Sequence, residues 1–184
     1  MISQVNAVNF LNQHIKNPNM IKHCLASGAV LRALALRLNK DQEEWLLAGL
    51  LHDIDVEITE GDPMKHGPYA AQMLDGMLSA EAVDAIVMHN EMATGKERTT
   101  VFQHALAAGE TITGLIMATA LVYPDKKLSS VKTKSITKRM KEKAFAASVK
   151  RENIMECELI GIPLQEFAEL SLAAMQEISD ELGM

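Results

Sequence analysis

The chain has 184 residues, enough for one substantial domain and short for two. Apolar residues make up 48% of it, and no run approaches the roughly 20 apolar residues of a membrane span; the N-terminus also lacks the basic start and apolar centre of a signal peptide. A soluble, cytoplasmic protein with no membrane contact is expected, and the net charge of −6 speaks against stable nucleic-acid binding.

Aromatic residues are only 4% of the chain while Met, Leu and Ala abound, and unbranched side chains lose little rotamer freedom in a helix. The expected class is all-α, one bundle of about seven to nine helices. Cys24 and Cys157 stand far apart and offer no paired ligand spacing, so two reduced structural thiols are expected. The basic residues are unevenly placed: ten of the eighteen fall between Lys126 and Arg151, with Glu142 as the one acid among them.

In chain order, a first helix is expected over residues 5–16, stopping at NPN, and a second over 20–38. Asp41 can cap a third, which runs into LLAGLLHDIDVE at residues 46–57. TEGDPMKHGP reads as a loop, followed by a helix over 68–78 with Pro68 in its first turn. Ser79 caps a helix through His89. Thr100 and Gln103 form a capping box that opens a long helix to about 122, ended by Pro124. Ser135 can start a short basic helix, another is expected over 145–160, and Pro163 opens the last, ending near Gly183. Nothing shows the alternation of a strand. Leu170, Leu172 and Met175 read as core or as a subunit contact, which leaves a homo-oligomer open.

The chemistry-bearing residues fall at helix ends and in one apolar helix. His23 has small same-face neighbours, Ala26 and Ser27. His52 and Asp53 close the third helix, His66 follows a loop, and His89 ends the fifth. Glu110 lies in AAGETITGLI, where its neighbours predict burial. A buried carboxylate is costly unless paired, hydrogen-bonded or metal-bound. A divalent cation held by imidazoles and carboxylates would satisfy Glu110 and would explain a His-Asp pair at a helix terminus. His14 and His104 read as ordinary surface or core histidines, and Asp55 and Glu57 as solvated acids after a helix end or as further partners.

This arrangement resembles the HD-domain superfamily of metal-dependent phosphohydrolases: His23 in KHCLASGAV, His52 and Asp53 in AGLLHDID, and Glu110 in AAGETITGLI occupy the positions of its signature. His66 and His89 stand where two-ion members carry additional histidines. A small HDIG-like subgroup is similar in HDIDVE, HGPYAAQML, MHN, TGLIMATALVYPDKKL, VKTKSI, FAASVKRENI and GIPLQEF, so the likeness spans about residues 20–178. It implies one HD domain, with a core of about 20–125 and a helical extension of about 126–184. Two departures are visible: the distal acid is Glu110 where the family usually has Asp, and Asp55 stands where Gly often follows the pair.

The resemblance implies one or two divalent ions (Mn, Fe, Co, Ni or Zn) held by His23, His52, Asp53, His66, His89 and Glu110, activating water against a phosphate ester of a nucleotide or similar small molecule. Asp53 and Asp55 are the acids expected to serve the reaction, Asp53 by bridging two ions, Asp55 by orienting His52 or His23 or by holding an outer-sphere water. From the charge pattern, some of Lys127, Lys132, Lys134, Lys138 and Arg151 are expected to hold substrate phosphate. The alternatives are a di-iron oxygenase of the same superfamily and a non-catalytic module that binds metal or nucleotide.

Overall fold

The computed structural model describes residues 1–184 and is entirely helical: eleven α-helices and two short 3-10 turns, with no strand. The elements are α1 (Gln4–His14), α2 (Pro18–Arg37), α3 (Gln42–Leu51), α4 (Pro68–Met73), α5 (Ala80–His89), α6 (Glu91–Thr94), α7 (Val101–Leu121), α8 (Thr133–Met140), α9 (Arg151–Met155), α10 (Leu164–Glu177) and α11 (Ser179–Leu182). α6, α9 and α11 are only one turn or so long; α6 leaves no periodic signal in the sequence, and α11 is the separated end of the expected last helix.

The expected caps hold. Asp41 accepts the Glu44 amide at α3, Ser79 the Ala82 amide at α5, and Thr100 and Gln103 exchange both bonds of a capping box at α7. Each satisfies amides that the first helical turn leaves unpaired. α4 stops at Met73, short of 78, because the chain turns through Gly76 at φ 71°.

α7 is the central element. By length and composition it is apolar enough to cross a membrane, contrary to the expectation that no segment reaches that range, but two thirds of its apolar window is buried inside this fold. It packs on α2 and α5, and on α8, α9 and α10 from the C-terminal part. One cluster of 43 buried residues runs from Ala7 to Leu182; Trp45 stacks on Phe102 within it at 4.6 Å. Leu172 and Met175 are core residues, and Leu170 packs against the core.

α2 and α3 cross closely because Gly49 lies against α2 backbone: a Cβ there would sit 2.6 Å from the Ser27 carbonyl oxygen. The small Ala26 and Ser27 are fully buried and belong to this crossing. They do not open space for a ligand beside His23. Cys24 and Cys157 are free and buried, and burial raises both thiols, Cys157 to about 12.

The expected helix over 145–160 is a correction. Residues 141–150 form a strap of turns, with Ala146 at φ 46°, and only Arg151–Met155 is α-helical. The cause is Arg151. Its Nη1 donates to the carbonyls of Ala146 and Val149, each at 2.8 Å, and its Nη2 to that of Phe145. A guanidinium that supplies donors to loop carbonyls replaces the intrahelical bonds the segment forgoes.

Candidate metal centre

His52 is the C-cap of α3 and keeps helical angles, so the chain turns once more and brings Asp53 beside it. His23, one turn before the α2–α3 crossing, meets His52 with their Nε2 atoms 3.2 Å apart. From the other side, His66 before α4 and His89 at the end of α5 face each other, Nε2 to Nε2, at 3.0 Å. Asp53 lies between the pairs. Its Oδ2 is 3.5 Å from His23 Nε2 and 3.3 Å from His52 Nε2, while its Oδ1 is 3.2 Å from His66 Nε2 and 3.4 Å from His89 Nε2.

The outer nitrogens decide what these imidazoles offer. His52 Nδ1 lies 2.8 Å from the Gly49 carbonyl and His89 Nδ1 contacts that of Ile86. His66 Nδ1 lies 2.7 Å from Asp55 Oδ1. His23 Nδ1 meets Thr113 Oγ1 at 3.0 Å, and that hydroxyl is committed as donor to the Glu110 carbonyl at 2.7 Å. Each partner is an acceptor, so the tautomer assigned to all four rings carries its proton on Nδ1 and its lone pair on Nε2. Four lone pairs then converge on one carboxylate at distances where they repel one another unless a cation or protons intervene. The donor chemistry therefore fits divalent metal. Two sets, His23 with His52 and Asp53, and His66 with His89 and Asp53, each keep their ligand atoms within 4.8 Å. Glu110 Oε2 is 3.7 Å from His23 Nε2, at the edge of the first set, and Thr111 donates to its other oxygen.

Without an ion, protons answer the same charge. Burial favours the neutral imidazole of His66, but hydrogen bonds to the Asp53 and Asp55 carboxylates outweigh it and raise the ring to about 10. His52 is likewise raised against its burial, chiefly by Asp53, whereas burial and the neighbouring His52 lower His23. Burial would push the Asp53 carboxyl up, yet His52, His66 and His89 hold it well below the usual carboxylate range.

Asp55 does not reach the cleft, so its expected direct part in the reaction, and its expected partnership with His52 or His23, are corrected. It is wholly buried and orients His66; its Oδ2 accepts the amides of Gly67 at 2.8 Å and Ala70 at 2.9 Å, tying the start of α4 to the same carboxylate. Gly67 is at φ 97°, where a side chain would be strained, and this turn aims His66 inward. Glu57 accepts the amides of Lys16 and Asn17 and so fixes the α1–α2 junction.

The cleft over the cluster has a volume of about 330 Å³. The expected phosphate-holding cations are not on it: Lys127, Lys132, Lys134 and Lys138 are exposed elsewhere, because α8 buries Ile136 and turns its lysines outward, and Arg151 is spent on the strap. Lys150 lines the cleft instead, with Ser148, Asn90, Asn153 and Thr111. Sequence reasoning missed Lys150 because an unbroken helix over 145–160 hides the strap that presents it.

It also missed Arg98, which is buried. Its Nη1 donates to the carbonyls of Met88 and His89 at the end of α5, its Nε and Nη2 to Glu156, and Nη2 also to Asn153. Glu156 accepts from His104 Nδ1 at 2.8 Å, so His104 is a structural partner; His14 packs on Phe10. An Arg in the polar run ATGKER carries no signal of burial.

Fold and cluster together define a helical protein with a histidine-carboxylate cluster able to hold divalent metal. The model of the HD domain matches residues 20–120, more than half of the chain, and the chain belongs to the HD-domain family. No curated protein and no solved structure matches it.

Proposed function

We propose that the protein is a metal-dependent phosphohydrolase that cleaves a P–O ester bond of a small phosphorylated substrate with water. The reading is supported by family membership and carried by one observation: a single carboxylate, Asp53, turns one oxygen to each of two histidine pairs whose Nε2 atoms face inward. His23 and His52, with Glu110 at hand, would hold one divalent ion, and His66 and His89 the other. When bound, such ions supply activation of water and neutralisation of charge on a phosphoryl group.

The residues of the chain do the rest. Asp53 fixes the spacing of the two half-sites. Asp55, Gly49, Ile86 and Thr113 hold the rings in the tautomer that leaves Nε2 free, as outer partners of metal-binding histidines do. Asn90, which donates to the carbonyls of Pro63 and His66, secures the loop before α4 at the mouth of the cleft. In the net reaction a bond forms between the water oxygen and phosphorus, the ester P–O bond breaks, and the alcohol leaves with one proton of the water.

Metal content of protein purified without chelators, beside the His52→Ala variant, tests this. About two equivalents of a transition metal are expected, at least one of them lost in the variant, together with phosphate release from phosphate esters that depends on the metal. No metal after incubation with manganese, iron, nickel or zinc would refute the proposal. Bound iron with oxygen consumption and no phosphate release would replace it with an oxygenase.

A further inference from the structure

The cleft walls are chemically one-sided. Of twelve lining residues only Val149 is apolar, and none is Phe, Tyr or Trp. The nearest aromatic of the strap, Phe145, is occupied beneath the Arg139 guanidinium, 4.2 Å from it. A nucleotide site gains much of its affinity and orientation by laying the base on an aromatic or apolar face, which these walls do not provide. They provide polar groups instead, the Ser148 hydroxyl and the side chains of Thr111, Asn90 and Asn153, of which the last three are already bonded to Glu110, to the loop before α4 and to Arg98, in a volume of about 330 Å³ at the small end of ligand pockets.

The cleft also has a single permanent cation. Lys150 lines it, is exposed, and takes part in none of the chain's ion pairs. Its position is not that of a loose surface lysine. The next residue, Arg151, fastens the carbonyls of Phe145, Ala146 and Val149, so the backbone that carries Ser148 and Lys150 is clamped on both sides of them. The strap lies outside residues 20–120, so the family match does not assign it a role.

Resting on the phosphate-handling role proposed above, we infer that the cleft takes a small, hydroxyl-rich phosphomonoester, a phosphorylated polyol or sugar and not a nucleotide, and that Lys150 on the Arg151-clamped strap holds its phosphoryl oxygen. Ser148 faces a hydroxyl of such a substrate. The strap thus sets specificity, while the histidine cluster sets the reaction.

The test is calorimetric titration of manganese-loaded protein with glycerol 3-phosphate and with AMP, alongside phosphate release from both. The wild type is expected to bind AMP no more tightly than glycerol 3-phosphate. Lys150→Ala should weaken glycerol 3-phosphate binding about ten- to a hundredfold, as loss of a charge-assisted hydrogen bond does, raise KM in step, and leave metal content unchanged; Lys150→Arg should retain most of the binding. AMP bound at least about tenfold more tightly, or a Lys150→Ala variant with unchanged affinity, would overturn the inference while phosphate release kept the hydrolase reading standing. Lys150-dependent binding without phosphate release would support the subsite and defeat the hydrolase reading.

Discussion

Asp55 accepts three hydrogen bonds with no exposure to solvent, one from a ring that faces the metal centre and two from the backbone that delivers that ring. Replacing it with Asn keeps the shape but gives the group a donor where all three partners are donors, so at least one contact is lost and a buried amide or imidazole N–H is stranded. Asp55→Asn should destabilise the fold by about 1–3 kcal/mol and weaken ion binding in the His66–His89 half by about 10–100-fold. The other half should keep its ion. Chemical denaturation and metal titration measure both, and two ions bound with wild-type affinity would show that Asp55 is not what orients His66. The identity of this acid was legible in HDID, but its partner was not. A sequence places Asp55 next to His52, whereas the turns after α3 carry it eleven residues onward to His66. That His52, Asp53 and His89 fall at helix ends was legible for the opposite reason, since a helix end is a local signal.

At the scale of elements, the close approach of α2 and α3 determines whether His23 and His52 can share an ion. Gly49→Ala would drive a methyl group into the Ser27 carbonyl, and backbone cannot yield as a flexible side chain can. The expected cost is about 1–3 kcal/mol, the range for overpacking. Because the displaced helices carry the two histidines, the variant should also lose the ion of the His23–His52 half before that of the His66–His89 half. Thermal melting with a metal count checks this; a destabilised protein that keeps both ions equally would mean the crossing is structural only. Capped helices such as α3, α5 and α7 could be read from Asp41, Ser79 and the Thr100–Gln103 box, because a cap is decided within four residues. The strap could not. Its backbone follows bonds from Arg151 to carbonyls up to twelve residues away, which override the helix propensity of FAASVKRENI.

At the scale of the whole molecule, ion binding and stability are one equilibrium. An ion that binds the folded cluster and not the unfolded chain stabilises the fold, and at about 100 times its Kd it adds roughly 2.7 kcal/mol. For a chain of this size that corresponds to a Tm rise of about 5–10 °C. Stripping the metal should remove the increment. The ion must also displace the proton that Asp53 and Asp55 hold on His66, so apparent affinity should fall as the pH is lowered from about 8 to about 6. Differential scanning fluorimetry with and without chelator measures the first effect and metal titration across that range the second; a Tm indifferent to metal would separate the cluster from stability. The same unity bears on how such a chain can change over evolutionary time. Arg98 belongs to the matched segment 20–120, yet its main counter-charge, Glu156, and its partner Asn153 do not. A C-terminal segment transplanted from another protein would bring new walls for the cleft but would leave that buried guanidinium with the half-exposed Glu91 as its one counter-charge unless it brought a carboxylate to the same place. The heritable part is therefore the Arg98–Glu156 pair, and cleft chemistry can diversify freely only around it.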